Sequence, residues 1–256
     1  MSKKLRLLAP IYGLNYGKLK DLTLDRNSKI RWITKKESLL LRKSGFDPLK
    51  YNYLLDMVYR YNEKKINEPY PALQILLDKI EVSLRVFNTG VIGFAGIVSK
   101  PQVSPFPLRI NLTIPNQQSS YKINNSKFSG FPDFCKKFRS AYHKKQIAID
   151  WFNKSYSEFA PTNKIICYCV CFENLFVPSN SHEKKIFIIF GLNLLNINKS
   201  NRDEIDLLYN YRNSIIHADK KKQKELLRKI GSMSSFLEHC TETLREVLQI
   251  YIDKQW

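Results

Sequence analysis

Apolar residues in the first hundred positions recur at two different spacings. Residues 29–34 alternate between polar and apolar side chains, which predicts a half-buried β-strand. The apolar runs 4–11 and 91–98 predict two further strands, and 35–43 predicts a short helix that ends before Gly45. A longer amphipathic helix is predicted further on by apolar side chains at helical spacing, namely Ala72, Ile75, Leu76, Ile80, Leu84 and Phe87. We therefore expect an α+β domain in the first part of the chain.

Residues 100–132 interrupt both patterns. They combine stretches rich in Asn and Ser with a series of prolines, which are Pro101, Pro105, Pro107, Pro115 and Pro132. Prolines at this spacing exclude a helix and permit only edge strands, so the segment predicts a long connection. We expect a domain boundary at its end, with a basic α+β N-terminal domain over 1–132 and a helical domain over 133–256.

From residue 133 onward the spacing of apolar residues is helical. The predicted helices are 133–159, 164–176, 186–195 and 203–217, and Pro161 separates the first from the second. One final helix is predicted by apolar residues at alternating intervals of four and three, which are Leu226, Ile230, Met233, Leu237, Cys240, Leu244, Val247 and Tyr251. Five helices joined by short links predict an all-α antiparallel helical bundle.

The net charge adds a possible partner to this picture. The chain has 42 Lys and Arg against 23 Asp and Glu, a net charge of +19. Such a surplus favours a polyanionic partner, nucleic acid first and an anionic membrane second. The alternative is a generally Lys- and Asn-rich composition that reflects the coding sequence rather than a partner.

Several classes of protein are disfavoured. No run of roughly 18 apolar residues is present, so we expect no membrane span. Pro10 and Gly13 break the basic start, so we expect no signal peptide. The odd number of cysteines, five, favours free thiols in the cytoplasm. Without a phosphate-binding glycine loop or a zinc-protease motif, we expect no cofactor and no metal.

The segment 203–217 carries the candidate chemistry. Asn213 and His217 are four residues apart and share a helix face, and Arg212 lies about 140° around the helix from His217, within reach of a long side chain. Histidine exchanges protons near neutral pH, and arginine stabilises a phosphate whose charge grows in the transition state. RNA supplies its own nucleophile, the 2′-hydroxyl. The alternative is a histidine that only complements the helix dipole.

The string Arg-Asn-x-x-x-His resembles the Arg-polar-…-His signature of HEPN ribonucleases. Residues 167–176 are similar to the Leu-Glu-x-Leu-Phe helix of the ApeA-like HEPN branch, with Phe172-Glu173 in place of Leu-Glu. Leu208-Tyr209 matches the Leu-Tyr-x-x-Arg lead-in of that branch, and 8–14 resembles a segment often found in front of such domains. The family often has Gly after the histidine, whereas Ala218 stands here.

The resemblance implies a homodimer through the HEPN helices, in which two motifs face each other across a cleft. His217 would act as general acid or base, Arg212 would stabilise the phosphorane, and Asn213 would orient the phosphate or the histidine. Glu173 and Tyr209 would support them, although Glu173 can equally be a buried polar brace. The implied activity is metal-independent cleavage of RNA by a toxin or an anti-phage effector, with a possible antitoxin or defence partner. The alternative is a non-catalytic HEPN module that binds RNA, a nucleotide or a protein.

Two basic clusters are candidate RNA contacts. The first has aromatic residues interleaved, which suits an RNA groove, and consists of Lys136, Lys137 and Arg139. The second follows the candidate histidine directly and consists of Lys220, Lys221, Lys222 and Lys224. The alternative for both is a solvated helix face.

Overall fold

The computed structural model describes residues 2–14, 21–62, 69–88, 90, 92–100, 125–179 and 181–254. The chain divides into two compact units, Met1–Arg139 and Ser140–Trp256. The division between Arg139 and Ser140 lies seven residues C-terminal to the predicted boundary at 132/133. Most of the predicted connection, residues 101–124, lies outside the described residues.

An antiparallel sheet forms the N-terminal unit together with helices. Its strands are β1 (Ser2–Tyr12), β2 (Leu22–Asp25), β3 (Ser28–Trp32), β4 (Tyr53–Asn62), β5 (Gly93–Phe94) and β6 (Val98–Lys100). The order across the sheet is β2-β3-β4-β1-β5, and β6 also pairs with β1. The β1–β4 ladder runs from Ser2 opposite Asn62 to Ile11 opposite Tyr53. The α+β character of this part of the chain is thus confirmed.

The central strand β4 has no counterpart among the predicted elements. All residues from Tyr53 to Met57 are buried, so the strand does not alternate between polar and apolar side chains. The single strand predicted over 91–98 was wrong, because the structure has the two short strands β5 and β6 there.

Helix α1 (Lys35–Lys43) begins with a capping box between Thr34 and Glu37 and is joined to the sheet by a buried ion-pair network. The Arg31 guanidinium donates to both Glu37 oxygens, at 2.8 and 2.5 Å, and its Nε donates to Asp56 at 2.8 Å. Arg6 adds two hydrogen bonds to Asp56. Helix α2 (Pro69–Phe87) follows β4 and is the predicted long amphipathic helix.

The rest of the described chain is helical. The elements are α3 (Asn125–Phe128), α4 (Phe131–Tyr142), α5 (Gln146–Ser155), α6 (Pro161–Phe176), α7 (Lys184–Leu194), α8 (Lys199–Ile216), α9 (Lys220–Ile230) and α10 (Met233–Lys254). Within the residues that the structure describes, no helix is long and apolar enough to cross a membrane.

Three helix predictions were wrong. Helices α3 and α4 begin inside the segment from which helix was excluded, because Pro132 occupies the first turn of α4, where no intrahelical partner is needed for its missing N–H. The predicted helix 133–159 is divided at 143–145 into α4 and α5. The predicted last helix is divided at Gly231, whose φ of 68° ends α9.

Helix α6 is the centre of the C-terminal unit. It packs against α5, α7, α8 and α10, and its buried residues include Ile165, Phe172 and Leu175. Gly191 lets α7 approach closely, because a Cβ at this position would overlap the ring of Phe176. All five cysteines of the chain are buried and have free thiols. The packing of α7 and α8 on α6 brings together the polar side chains described next.

Candidate functional site

A largely buried carboxylate on α6 connects three helices. The Glu173 side chain is 13% exposed, and its Oε1 accepts a short hydrogen bond from the Tyr209 hydroxyl of α8. The same oxygen lies 3.3 Å from Nη2 of Arg212, also on α8. Lys184, at the start of α7, donates to Oε2 at 2.7 Å. Glu173 is therefore the acceptor on which two cations and one hydroxyl converge.

The Arg212 guanidinium is held from three directions. Its Nη2 faces Glu173, its Nη1 donates to Oδ1 of Asn213 at 3.0 Å, and its Cζ lies 5.6 Å from the centre of the Tyr209 ring. Tyr209 and Arg212 are three residues apart, so they are neighbours on one face of α8. The Arg212 side chain is 20% exposed, so it is not fully enclosed by its partners.

Tyr209 is fixed as a hydrogen-bond donor. Burial raises its pKa well above the ordinary value, and the hydrogen bond to the Glu173 carboxylate raises it further. The phenol therefore stays protonated at neutral pH. Cys169 lies close to the same charges, and burial raises the pKa of its thiol, so we do not assign it a nucleophilic role.

His217 lies at the C-cap of α8 and is exposed. Its backbone N–H donates to the carbonyl of Asn213 at 3.0 Å. Among the residues that the structure describes, its imidazole makes no hydrogen bond or ion pair. The structure thus brings together Glu173, Tyr209, Arg212 and Asn213 but does not join the His217 ring to them.

The residue after the histidine has an unusual backbone conformation. Ala218 has a φ of 51°, in the left-handed region that glycine adopts without strain. Asp219 follows and accepts a hydrogen bond from the Lys222 N–H as the N-cap of α9. Helix α8 therefore ends sharply at His217, although a non-glycine residue follows.

The second basic cluster lies on the surface of α9, where all of its lysines are exposed: Lys220, Lys221, Lys222 and Lys224. The first turn of α9 holds lysines and no acidic residue, although the positive end of the helix dipole disfavours cations there. No acidic side chain of the described chain forms an ion pair within 4 Å of these lysines. Lysines at this end of the helix do not stabilise α9. An anionic partner would reduce the electrostatic repulsion between the lysines and the positive end of the helix dipole.

The structure separates the members of the first basic cluster. Lys136 and Lys137 are exposed on α4, whereas Arg139 donates from Nη1 to Asp25 at 2.8 Å. Asp25 is the last residue of β2, so Arg139 attaches α4 to the N-terminal sheet.

Two lysines of α7 were missed by the sequence reasoning. Lys184 binds Glu173, and Lys185 contacts Asp206 at 2.6 Å and Asn210 at 3.2 Å. A lysine pair at a helix start has no distinguishing signal. The contacts arise from the packing of α7 on α8, which no local pattern indicates.

Within the described ranges, no group of three or more His, Cys, Asp or Glu side chains is arranged to hold a metal ion. Comparison of the chain with protein-family models, with curated proteins and with solved structures found no match.

Proposed function

We propose that the protein is a metal-independent endoribonuclease of the HEPN type, with Arg212, Asn213 and His217 as the catalytic residues. The observation that carries the proposal is the fixed position of the Arg212 guanidinium, which is held by Glu173 and Tyr209 on a side chain that is still 20% exposed. The exposed His217 follows at the end of the same helix. The resemblance of this string to HEPN ribonucleases adds the reaction type.

The chemistry follows from what each group can do. A neutral His217 imidazole would remove the proton of the 2′-hydroxyl while O2′ attacks the phosphorus, so that the P–O2′ bond forms. An imidazolium would return a proton to O5′ as the P–O5′ bond breaks, leaving a 2′,3′-cyclic phosphate and a 5′-hydroxyl. The Arg212 guanidinium would stabilise the charge on the non-bridging oxygens. Asn213 would orient the phosphate or the histidine.

Base and acid are two proton carriers, and one motif supplies one histidine. The proposal therefore includes a homodimer. Helix α7 supports it with a line of exposed apolar side chains four residues apart, Ile186, Phe190 and Leu194. Since α7 packs against α8, a second copy of the chain on this line would lie beside the helix that carries the motif.

The lysines of α9 fit the same reaction. They begin three residues after His217 and are exposed, so an RNA backbone that they attract would pass close to the histidine. An RNA-cutting toxin or an anti-phage effector in the cytoplasm is the biological role that we propose, with an antitoxin or another defence protein as a further partner.

The experiment uses the purified chain, single-stranded RNA and EDTA. Wild type is expected to cut the RNA and to leave a 2′,3′-cyclic phosphate, whereas a substrate with a single 2′-deoxy linkage stays intact at that position. His217→Ala should slow cleavage by about 10² to 10⁴, and Arg212→Ala by about 10² to 10³. Asn213→Ala should have a smaller effect, because it only orients.

His182→Ala is the matched control, since His182 is also exposed but lies outside α8. It should cut at the wild-type rate. Cleavage that persists in His217→Ala, or that occurs at the 2′-deoxy linkage, would exclude the mechanism.

A second candidate function is favoured by one observation. Arg212 donates to Glu173 and Asn213, and the His217 ring makes no hydrogen bond with any described residue. An HEPN module that binds RNA, a nucleotide or a partner protein without cutting fits this arrangement. RNA binding by wild type without cleavage of any RNA would favour this candidate.

A further inference from the structure

The N-terminal unit contains a pocket that is separate from Arg212 and His217 in the chain. It lies where the turn between β2 and β3 meets β4, and α2 and α4 contribute one residue each, Leu76 and Arg139. Its volume is about 510 Å³, within the range of pockets that hold small ligands. The β3–β4 ladder fixes this corner of the sheet, since Ser28 lies opposite Met57 and the Val58 N–H donates to the carbonyl of Asn27 at 2.7 Å.

Positive charge dominates the lining. Arg26, Arg60 and Arg139 line the pocket with one acidic residue, Asp25, so three positive charges against one negative charge leave +2. Arg139 and Asp25 neutralise each other at 2.8 Å. Arg26 and Arg60 form no ion pair with any residue that the structure describes. Two guanidiniums therefore remain without a counter-ion at a concave surface.

The Arg139–Asp25 pair is a fixed part of the wall. Burial alone would raise the pKa of Asp25, but the hydrogen bonds from Arg139 and from the Asn27 N–H hold it below its usual value. Asp25 therefore stays ionised at neutral pH, and it does not need Arg26 or Arg60 as a partner.

Two hydrogen-bond donors of Arg139 are unpaired. Its Nε and Nη2 are shielded from water and have no hydrogen-bond acceptor among the described residues. Buried donors without an acceptor are rare in folded proteins. Arg139 also lines the pocket, and a phosphate oxygen is a suitable acceptor for such donors.

The lining also contains apolar and aromatic residues. Met57 is buried, and Val58, Tyr59 and Leu76 complete this part of the lining. An inorganic anion would gain nothing from contact with these apolar and aromatic side chains. A ligand that combines a flat, weakly polar ring system with a phosphate would use both parts of the lining, because the ring can pack on Tyr59 and Leu76 while the phosphate meets the arginines.

We propose that this pocket binds a nucleotide, with the phosphate at Arg26 and Arg60 beside Arg139 and the base against Tyr59 and Leu76. The nucleotide is either free in solution or the phosphorylated end of an RNA strand, since both offer the same chemistry. The proposal does not depend on RNA cleavage by the C-terminal unit.

The experiment is calorimetric titration of the full chain carrying His217→Ala, which protects an RNA probe from the proposed cleavage. The probes are the four ribonucleoside 5′-monophosphates, the matching nucleosides, inorganic phosphate, and a four-nucleotide RNA with either a 5′-phosphate or a 5′-hydroxyl. At least one monophosphate should bind about tenfold or more tightly than its nucleoside and than inorganic phosphate. Tighter binding of the 5′-phosphorylated RNA would assign the site to a strand end, and tighter binding of the monophosphate to a free nucleotide.

Arg26→Gln and Arg60→Gln should each weaken nucleotide binding about tenfold, as expected when one charge-assisted hydrogen bond is removed. Arg42→Gln is the matched control, because Arg42 is an exposed arginine of α1 outside the pocket, and it should bind as before. The proposal is wrong if nucleoside and monophosphate bind equally, if no probe binds, or if Arg26→Gln and Arg60→Gln have no larger effect than Arg42→Gln.

Discussion

Glu173 and Tyr209 are 36 residues apart in the sequence and are joined by a partly buried hydrogen bond between α6 and α8. Oε1 of Glu173 accepts from both Tyr209 and Arg212, whereas Oε2 accepts from Lys184. Because the phenol stays protonated, it neutralises no charge and only orients the carboxylate. The two residues together set the direction of the guanidinium that we propose as catalytic.

Tyr209→Phe should therefore weaken both the fold and the site. The loss of a hydrogen bond to a charged acceptor should lower the free energy of unfolding by about 1–3 kcal/mol, measured by urea denaturation. Cleavage of RNA should also slow, because Arg212 is less well oriented. Tyr211→Phe is the control on the same helix, since its hydroxyl makes no hydrogen bond with a described residue. An equal loss of stability in both variants would contradict this role of Tyr209.

The sequence predicted which residues of α8 belong together but not how they contact each other. The strand β3 and the helices α1 and α8 follow from local periodicity and capping, and Glu173 was expected either to support the motif or to act as a buried polar brace. The ion pair of 3.3 Å between Glu173 and Arg212 fits either role. Lys184 could not be predicted, because its role depends on the packing of α7 against α6 and α8.

Other features could not be predicted from the sequence, and the reasons are physical. The central strand β4 is buried on both faces and lacks alternation, so its register with β1 is set by tertiary pairing alone. The pocket around Arg139 depends on a contact between residues 114 positions apart. The breaks at 143–145 and at Gly231 do not disturb the apolar spacing, so periodicity extends across them.

The exposed lysines of α9 should determine the salt dependence of RNA binding. Replacing Lys220, Lys221 and Lys222 with glutamine should flatten the slope of log K against log salt by about 0.7 for each RNA phosphate that the variant no longer neutralises. The measurement is a fluorescence anisotropy titration with single-stranded RNA in the His217→Ala background. The control carries glutamine at three exposed lysines of α1, Lys35, Lys36 and Lys43, and has the same net charge. A slope that changes equally in both variants would mean that overall charge, and not α9, attracts the RNA.

The apolar line on α7 should be the contact between two copies of the chain. Phe190 is 59% exposed, so Phe190→Glu should leave the fold intact while placing two like charges in the dimer contact. We expect a monomer by light scattering at micromolar concentration and a loss of RNA cleavage. Phe159→Glu is the matched control, because Phe159 is 72% exposed and lies in the link between α5 and α6. A wild-type chain that is already monomeric, or dimers that persist in Phe190→Glu, would contradict this interface.

The buried network of Arg31, Glu37 and Asp56 should make the N-terminal unit sensitive to acid. Burial alone would raise the pKa of Glu37, but the hydrogen bonds from Arg31 and Thr34 lower it to about 2. A carboxylate whose folded-state pKa is depressed contributes stability above its unfolded value, near 4.5, and loses that contribution as the pH falls toward 2. The free energy of unfolding of wild type should therefore decrease as the pH is lowered from about 4.5 to about 2, as followed by urea denaturation.

Glu37→Gln should be less stable at neutral pH and should show a smaller decrease over this pH range. Glu238→Gln, at an exposed position of α10, should keep the wild-type profile. Equal pH profiles in wild type and Glu37→Gln would show that the network does not contribute to stability in this way.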